Sequence, residues 1–131
     1  MISSELIGQE AEASTEVTPE LTVRHFHAEM PAVYGTPFMI YLMELASSNA
    51  VQPHLPAGWA SVGVEVNVRH LAPTPVGRMV TARARVVGVN EQRIEFEVQA
   101  HDGVRLIGTG MHVRSPIDLA RFEKRLAEDS A

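Results

Sequence analysis

The run Thr36-Pro37-Phe38-Met39-Ile40-Tyr41-Leu42-Met43-Glu44-Leu45-Ala46 decides how this chain folds. Proline is tolerated at the first position of a helix, where its missing N–H is not needed, and the Thr36 hydroxyl suits a helix cap. From Phe38 onward the segment is apolar on every side instead of along one stripe. A helix of that kind is buried all round. It should end before Pro53.

After Pro56-Ala57-Gly58 the apolar period changes from helical to two. Val62, Val64, Val66, Val68 and His70 fall on one face of this segment, with Ser61, Gly63, Glu65, Asn67 and Arg69 on the other. Val80, Ala82, Ala84 and Val86 alternate with Thr81, Arg83 and Arg85. Ile94, Phe96, Val98 and Ala100 alternate with Arg93, Glu95, Glu97 and Gln99. Such alternation predicts strands with one buried face. Turns are predicted at Pro73–Gly77, at Gly88–Glu91 and at Asp102-Gly103, a strong hairpin pair. Val104–Arg114 predicts the last strand, where Gly108 and Gly110 leave room for a close neighbour. Ser115-Pro116-Ile117-Asp118 predicts a final helix start with Ser115 as its cap, and Leu119, Phe122 and Leu126 share one face of that helix.

Upstream, Thr15–His27 predicts a first strand broken near Pro19, followed by a loop over residues 28–35. Residues 1–14 predict a flexible acidic tail, and residues 15–131 a single domain. The order is that of an α+β fold, an antiparallel sheet around one long central helix. A helix apolar all round also needs a cover on its far side. A 131-residue chain has little left to supply it, so a twofold partner is the simple solution.

Composition narrows the function. Hydrophobic residues make up 45% and charged residues 21%, which is ordinary for a globular domain. No apolar run reaches the roughly 18 residues a membrane span needs, and the N-terminus lacks a basic start followed by an apolar run. The absence of cysteine excludes a disulfide scaffold, a thiol nucleophile and a cysteine-based zinc site. A soluble cytoplasmic protein is expected. The net charge of −5 resides in Glu5, Glu10, Glu12, Glu16 and Glu20, since the other eleven acidic residues balance eleven basic ones. A neutral body has no electrostatic drive toward a phosphate backbone, so nucleic acid is not an expected partner.

Glu44 stands in the middle of the apolar helix. Burying a carboxylate costs several kcal/mol unless it is paired or neutralised. Glu44 is therefore either the partner of a buried arginine or a catalytic carboxylate. His70 is the one polar group of its valine stripe, which suits either a general acid/base or a surface ring at a strand end. Thr36 and Glu44 are eight residues apart, roughly 12 Å along a straight helix. They act together only if the helix start bends or if they come from two chains. Two antiparallel helices crossing near Ile40 would set Thr36 of one opposite Glu44 of the other. No Gly-x-Ser-x-Gly, phosphate loop, dinucleotide loop or His-Glu-x-x-His is present, Gly108-Thr109-Gly110 reads as structural, and no metal is expected.

From about Thr22 to Leu126 the chain resembles the hot-dog-fold thioesterases, within them the fluoroacetyl-CoA thioesterase-like branch. The matching stretches are Thr22-Val23-Arg24-His25, Thr36-x-Phe38-Met39, Leu42-Met43-Glu44-x-Ala46 and His70-x-Ala72-x-Thr74-Pro75. They continue with Ala100-His101-Asp102-Gly103 and Ile107-Gly108-x-Gly110-x-His112-x-Arg114. Between His27 and Thr36 the match is poor and Tyr34 is the only aromatic. That argues against fluoroacetyl specificity and leaves the general thioesterase reading intact. The resemblance implies a homodimer, with pairing into tetramers left open, that hydrolyses a small acyl-CoA thioester. Coenzyme A is then part of the substrate and no other cofactor is needed. It implies Thr36, Glu44 and His70 as the catalytic set, Gly63 beside the thioester carbonyl and Arg114 near the coenzyme A end. Arg114 suits either a coenzyme A phosphate or a surface ion pair. Met39 and Met43 suit an acyl pocket or plain core packing. The alternatives are a non-catalytic acyl-CoA-binding module, a hot-dog hydratase or dehydratase, whose Gly-Asp-x-Asn-Pro-x-His-like run is absent, and a ligand-free structural dimer.

Overall fold

The structure is a computed structural model and describes residues 3–130. The long helix predicted from the Phe38–Ala46 run is α2 (Thr36–Val51). Five strands form the sheet that packs on one side of it: β1 (Glu10–Glu16), β2 (Trp59–His70), β3 (Met79–Asn90), β4 (Arg93–His101) and β5 (Leu106–Asp118). They form one antiparallel sheet in the order β1-β3-β4-β5-β2. Among the described residues there are two shorter α-helices, α1 (Val23–Phe26) and α3 (Leu119–Asp129).

The core lies between α2 and the β1–β3–β4 half of the sheet. Val80, Ala82, Ala84 and Val86 of β3 meet Ile94, Phe96, Val98 and Ala100 of β4, all fully buried. Met39, Leu42, Met43, Ala46, Ala50 and Val51 of α2 pack onto them. Burial all round α2 does not occur within one chain. Tyr41 is 60% exposed and Leu45 37% exposed, because a single sheet covers only one side of the helix.

Several boundaries differ from the sequence reading, each for a local reason. Residues 10–14 of the expected tail belong to β1, which pairs with β3 from Glu10↔Arg85 to Glu16↔Met79. Ala11 and Ala13 pack on the core, and side chains that small gave little alternation to read. Met1 and Ile2 lie outside the described residues. Thr15–His27 is not one strand. After β1 the chain turns through Pro19–Leu21 into α1, with the Thr22 hydroxyl donating to the Pro19 carbonyl at 2.7 Å. β3 continues past Gly88 to Asn90, with a bulge between Val86 and Gly88 where the missing side chain makes room for Glu95. β5 runs on through Ser115–Asp118. Beyond Arg114 it pairs with β2 alone, so its other edge is free and Pro116 is tolerated. The cap of α3 is therefore Asp118, whose carboxylate accepts the Arg121 N–H at 3.4 Å, and not Ser115.

β2 departs most from its sequence pattern. Directly opposed residues of antiparallel strands point to the same side of a sheet. Gly63 stands opposite Arg114, whereas Val66, Val68 and His70 stand opposite His112, Gly110 and Gly108. Val64 has no partner and forms a bulge. The bulge turns Gly63 to the helix side together with Val66, Val68 and His70, and leaves Val62, opposite Ser115, on the other face. The uninterrupted face of Val62, Val64, Val66, Val68 and His70 is thus corrected: an extra residue resets the period.

Candidate active site

Each site residue sits on an element that the core fixes. Thr36 opens α2, but it is not the cap. Gly35 takes that position without a side-chain bond, and the Thr36 Oγ1 lies 2.8 Å from His70 Nδ1 instead. His70 comes from the end of β2, where Leu71 N–H donates to the Ile107 carbonyl at 2.7 Å and anchors the strand. The following loop is anchored too. Thr74 accepts the Tyr34 N–H at 2.8 Å, and its hydroxyl donates to buried Asp102 at 2.9 Å. Burial opposes the charge on Asp102, yet hydrogen bonds from the Arg105 and Val104 N–H groups, Thr74 and Arg78 outweigh it. They hold Asp102 well below the usual carboxylate range.

A cleft of about 330 Å³ opens beside Thr36 and His70, lined also by Tyr34, Leu71, Ala72 and Pro73. An adjoining hollow of about 430 Å³ is almost wholly apolar, with Val23, Phe26, Pro37 and Phe38 in its wall and Thr36 on its edge. A third hollow, of about 440 Å³, lies by Leu6, Leu55 and Trp59 and contains none of the predicted site residues. Among the described residues, His70 Nε2 and the Tyr34 hydroxyl are buried with no hydrogen-bond partner. Burial pushes the Tyr34 phenol up to about 12, so it stays protonated. Burial also lowers the pKa of His70, with the Ala72 backbone pulling the other way, so the neutral ring is favoured.

Glu44 belongs to a second cluster, two turns further along α2. Its Oε2 lies 3.5 Å from Arg114 Nη1, and its side chain is one-third exposed. The pairing with a buried arginine, one of the two sequence readings, is present, and the carboxylate still reaches solvent. Arg114 is not at the surface. It is 7% exposed, and its Nε and Nη2 donate to the Ser61 hydroxyl at 2.8 Å and the Ser61 carbonyl at 2.7 Å. Burial lowers its pKa and the Glu44 charge opposes that shift. Gly63 faces the same carboxylate: a Cβ there would fall 2.5 Å from Glu44 Oε2 and 3.1 Å from His112 Cε1.

The structure thus assembles Thr36 with His70, and Glu44 with Gly63 and Arg114, but keeps the two groups at different levels of α2. Met39 and Met43 are fully buried against Gly108, so they pack the core and do not line either hollow beside Thr36. Sequence reasoning missed Ser61 and His112. A signal existed in β5, where Gly108, Gly110, His112 and Arg114 occupy every second position: two absent side chains and then two polar ones on the inward face. Among the described residues no three His, Asp or Glu side chains are grouped so as to hold a metal ion. Among them, too, no helix is long and apolar enough to cross a membrane.

A curled antiparallel sheet around one long helix, with a glutamate on that helix facing a glycine and an arginine of the sheet, defines a hot-dog protein with a carboxylate site. A solved hot-dog-like protein from Thermanaerovibrio acidaminovorans superposes with a TM-score of 0.88 at 27% identity, over 100% of this chain and 98% of that one. A solved fluoroacetyl-CoA thioesterase superposes with a TM-score of 0.87 at 38% identity, over 93% of this chain and 95% of that one. The curated fluoroacetyl-CoA thioesterase of Streptantibioticus cattleyicolor is 41% identical over 118 residues, 86% of this chain and 85% of that one. The family model FlK, fluoroacetyl-CoA-specific thioesterase, matches residues 17–120. The chain belongs to this thioesterase family.

Proposed function

We propose that this protein hydrolyses small acyl-CoA thioesters with the Glu44 carboxylate, in a site completed across a homodimer. The observation that carries the reading is the state of Glu44. Its Oε2 stands 3.5 Å from Arg114 Nη1, its side chain is one-third exposed to solvent, and Gly63 puts no side chain over it. Family membership supplies the thioester; a related solved fluoroacetyl-CoA-specific thioesterase variant holds fluoroacetate and CoA.

In this reading the thioester carbonyl lies over Gly63. The Glu44 carboxylate either attacks the carbonyl carbon or takes a proton from the water that does; both need the same carboxylate at the same place. A backbone N–H near Gly63 stabilises the developing oxyanion, an effect typically worth about 3–4 kcal/mol per donor. Thr36 and His70 act as a pair, with the neutral imidazole relaying a proton from water to the departing thiolate, gaining one at one ring nitrogen as it gives up the other.

The two clusters are about 12 Å apart along one helix, by the rise per residue. A twofold partner with its α2 antiparallel to this one brings Thr36 and His70 of one chain to Glu44 of the other. Three exposed features support such a partner. Tyr41 and Leu45 are uncovered on the far face of α2. Val64 and Val66 are 46% and 43% exposed. β2 is a twelve-residue edge strand, and a long apolar edge left open is an aggregation liability.

The test is thiol release from a panel of acyl-CoAs, from acetyl and haloacetyl through aryl and medium-chain esters, for the wild type and Glu44→Ala. Turnover by the wild type alone supports the reading and ranks the acyl groups. Coenzyme A binding without turnover on any ester refutes it.

A further inference from the structure

His112 is 2% exposed, lies in the middle of β5, and has no role in the scheme above. Both of its ring nitrogens are engaged. Nδ1 lies 2.8 Å from the Glu65 carbonyl oxygen, which only accepts, so Nδ1 carries the proton. Nε2 lies 3.2 Å from Arg114 Nη1, which only donates, so Nε2 offers a lone pair and the ring is neutral. The ring stacks on Phe96 with centroids 6.0 Å apart and planes at 29°, which fixes its orientation.

Each contact reaches a part of the Glu44 site. Glu65 is the first paired residue after the bulged Val64, so the bond from Nδ1 pins the bulge that turns Gly63 toward Glu44. Nη1 of Arg114 is shared between His112 Nε2 at 3.2 Å and Glu44 Oε2 at 3.5 Å. Ser61 holds the other two guanidinium nitrogens. With an acceptor on either side, Nη1 stays short of a close ion pair with the carboxylate. Without the imidazole lone pair, its one remaining acceptor in this cluster is Glu44, and an arginine drawn fully onto that carboxylate makes it a poorer base and nucleophile.

Building on the proposed role of Glu44, we infer that His112 is a positioning residue for hydrolysis. It restrains Arg114 and the Gly63 bulge so that the Glu44 carboxylate faces the substrate carbonyl uncommitted.

The experiment uses three variants of the full chain, assayed by acyl-CoA thiol release with a thermal unfolding curve for each. His112→Asn keeps an N–H for the Glu65 carbonyl and loses the acceptor at Nε2. His112→Gln carries an amide oxygen out to that acceptor position. Glu44→Gln tests the underlying reading. The expected result is a kcat lower by about ten- to a hundredfold in His112→Asn with KM unchanged, since small misplacements at a reacting centre cost that much. His112→Gln recovers most of the loss. Wild-type kcat in folded His112→Asn overturns the inference, and so does a kcat in both variants that merely follows the folded fraction. If His112→Asn does not fold, Arg114→Lys replaces it. The lysine lacks the fork that His112 and Ser61 hold, so a fall in kcat is expected and wild-type kcat overturns the inference. An active Glu44→Gln shows instead that the reading of Glu44 has failed.

Discussion

The β3–β4 pair and the β2–β5 pair are neighbours in one sheet, built by opposite rules. β4 alternates without a fault, with four inward residues fully buried between five exposed ones. Its inward face is apolar, and α2 covers it. β2 has the same length as β3 but carries a bulge, two exposed valines and a glycine where a side chain would strike a carboxylate. β5 places His112 and Arg114 inward where β4 places only hydrocarbon. One pair holds the molecule together. The other gives up packing to keep polar groups close and space open, which is how a domain carries a site without losing its core.

Substitutions that separate stability from turnover sharpen the contrast. Glu44→Gln is expected to lower kcat by about 10²–10⁴-fold, the range of a lost general base, with little change in Tm because the amide still accepts from Arg114. Parallel kcat and Tm measurements decide it, and a matched fall in both would make Glu44 a structural ion-pair partner. Gly63→Ala is expected next, at about a hundredfold in kcat, because the new methyl displaces the carboxylate. The same change at Gly108 meets the flexible Met39 Sδ at 2.5 Å. It should cost about 1–3 kcal/mol of stability and leave kcat unchanged. Val98→Ala in β4 should likewise cost about 2 kcal/mol or more in denaturant unfolding with normal turnover. If Gly63→Ala and Gly108→Ala behaved alike, the division between the two pairs would be gone.

The smallest effect is a pH dependence. His70 and His112 both have pKa values lowered by burial in the folded chain, relative to 6.5. The unfolded chain therefore takes up protons first as the pH falls. Stability should be full above about pH 6.5 and decline as the pH drops below it, more gently in His112→Asn. Unfolding midpoints across pH 5–8 measure this, and a midpoint that rises on acidification contradicts it.

How much could be read beforehand followed the same division. The alternation of Val80–Val86 and Ile94–Ala100 and the apolar run of α2 name their partners in the sequence, because hydrophobic burial repeats with the element. Glu44 and His70 stood out as lone polar groups in apolar stripes, and Thr36 as a hydroxyl at a helix start. The bulge at Val64 has no such signature: one unpaired residue among four alternate valines leaves the pattern intact while reversing its meaning. The burial of Arg114 was not legible, because its partners, Ser61 and Glu44, are fifty or more residues away in sequence. β1 was hidden by Ala11 and Ala13, which fill an inward face without looking hydrophobic. The pairing of Thr36 with His70 instead of with its own helix is likewise a long-range choice.

The central claim is that Thr36 and His70 of one chain serve Glu44 of another. The direct measurement is complementation: Glu44→Gln and His70→Ala, each inactive alone, are unfolded together and refolded as a mixture. Random pairing makes half of the dimers mixed, each with one intact site. Thiol release should return to about a quarter of the wild-type specific activity. A mixture as inactive as its parents, with exchange of chains demonstrated, would contradict the account.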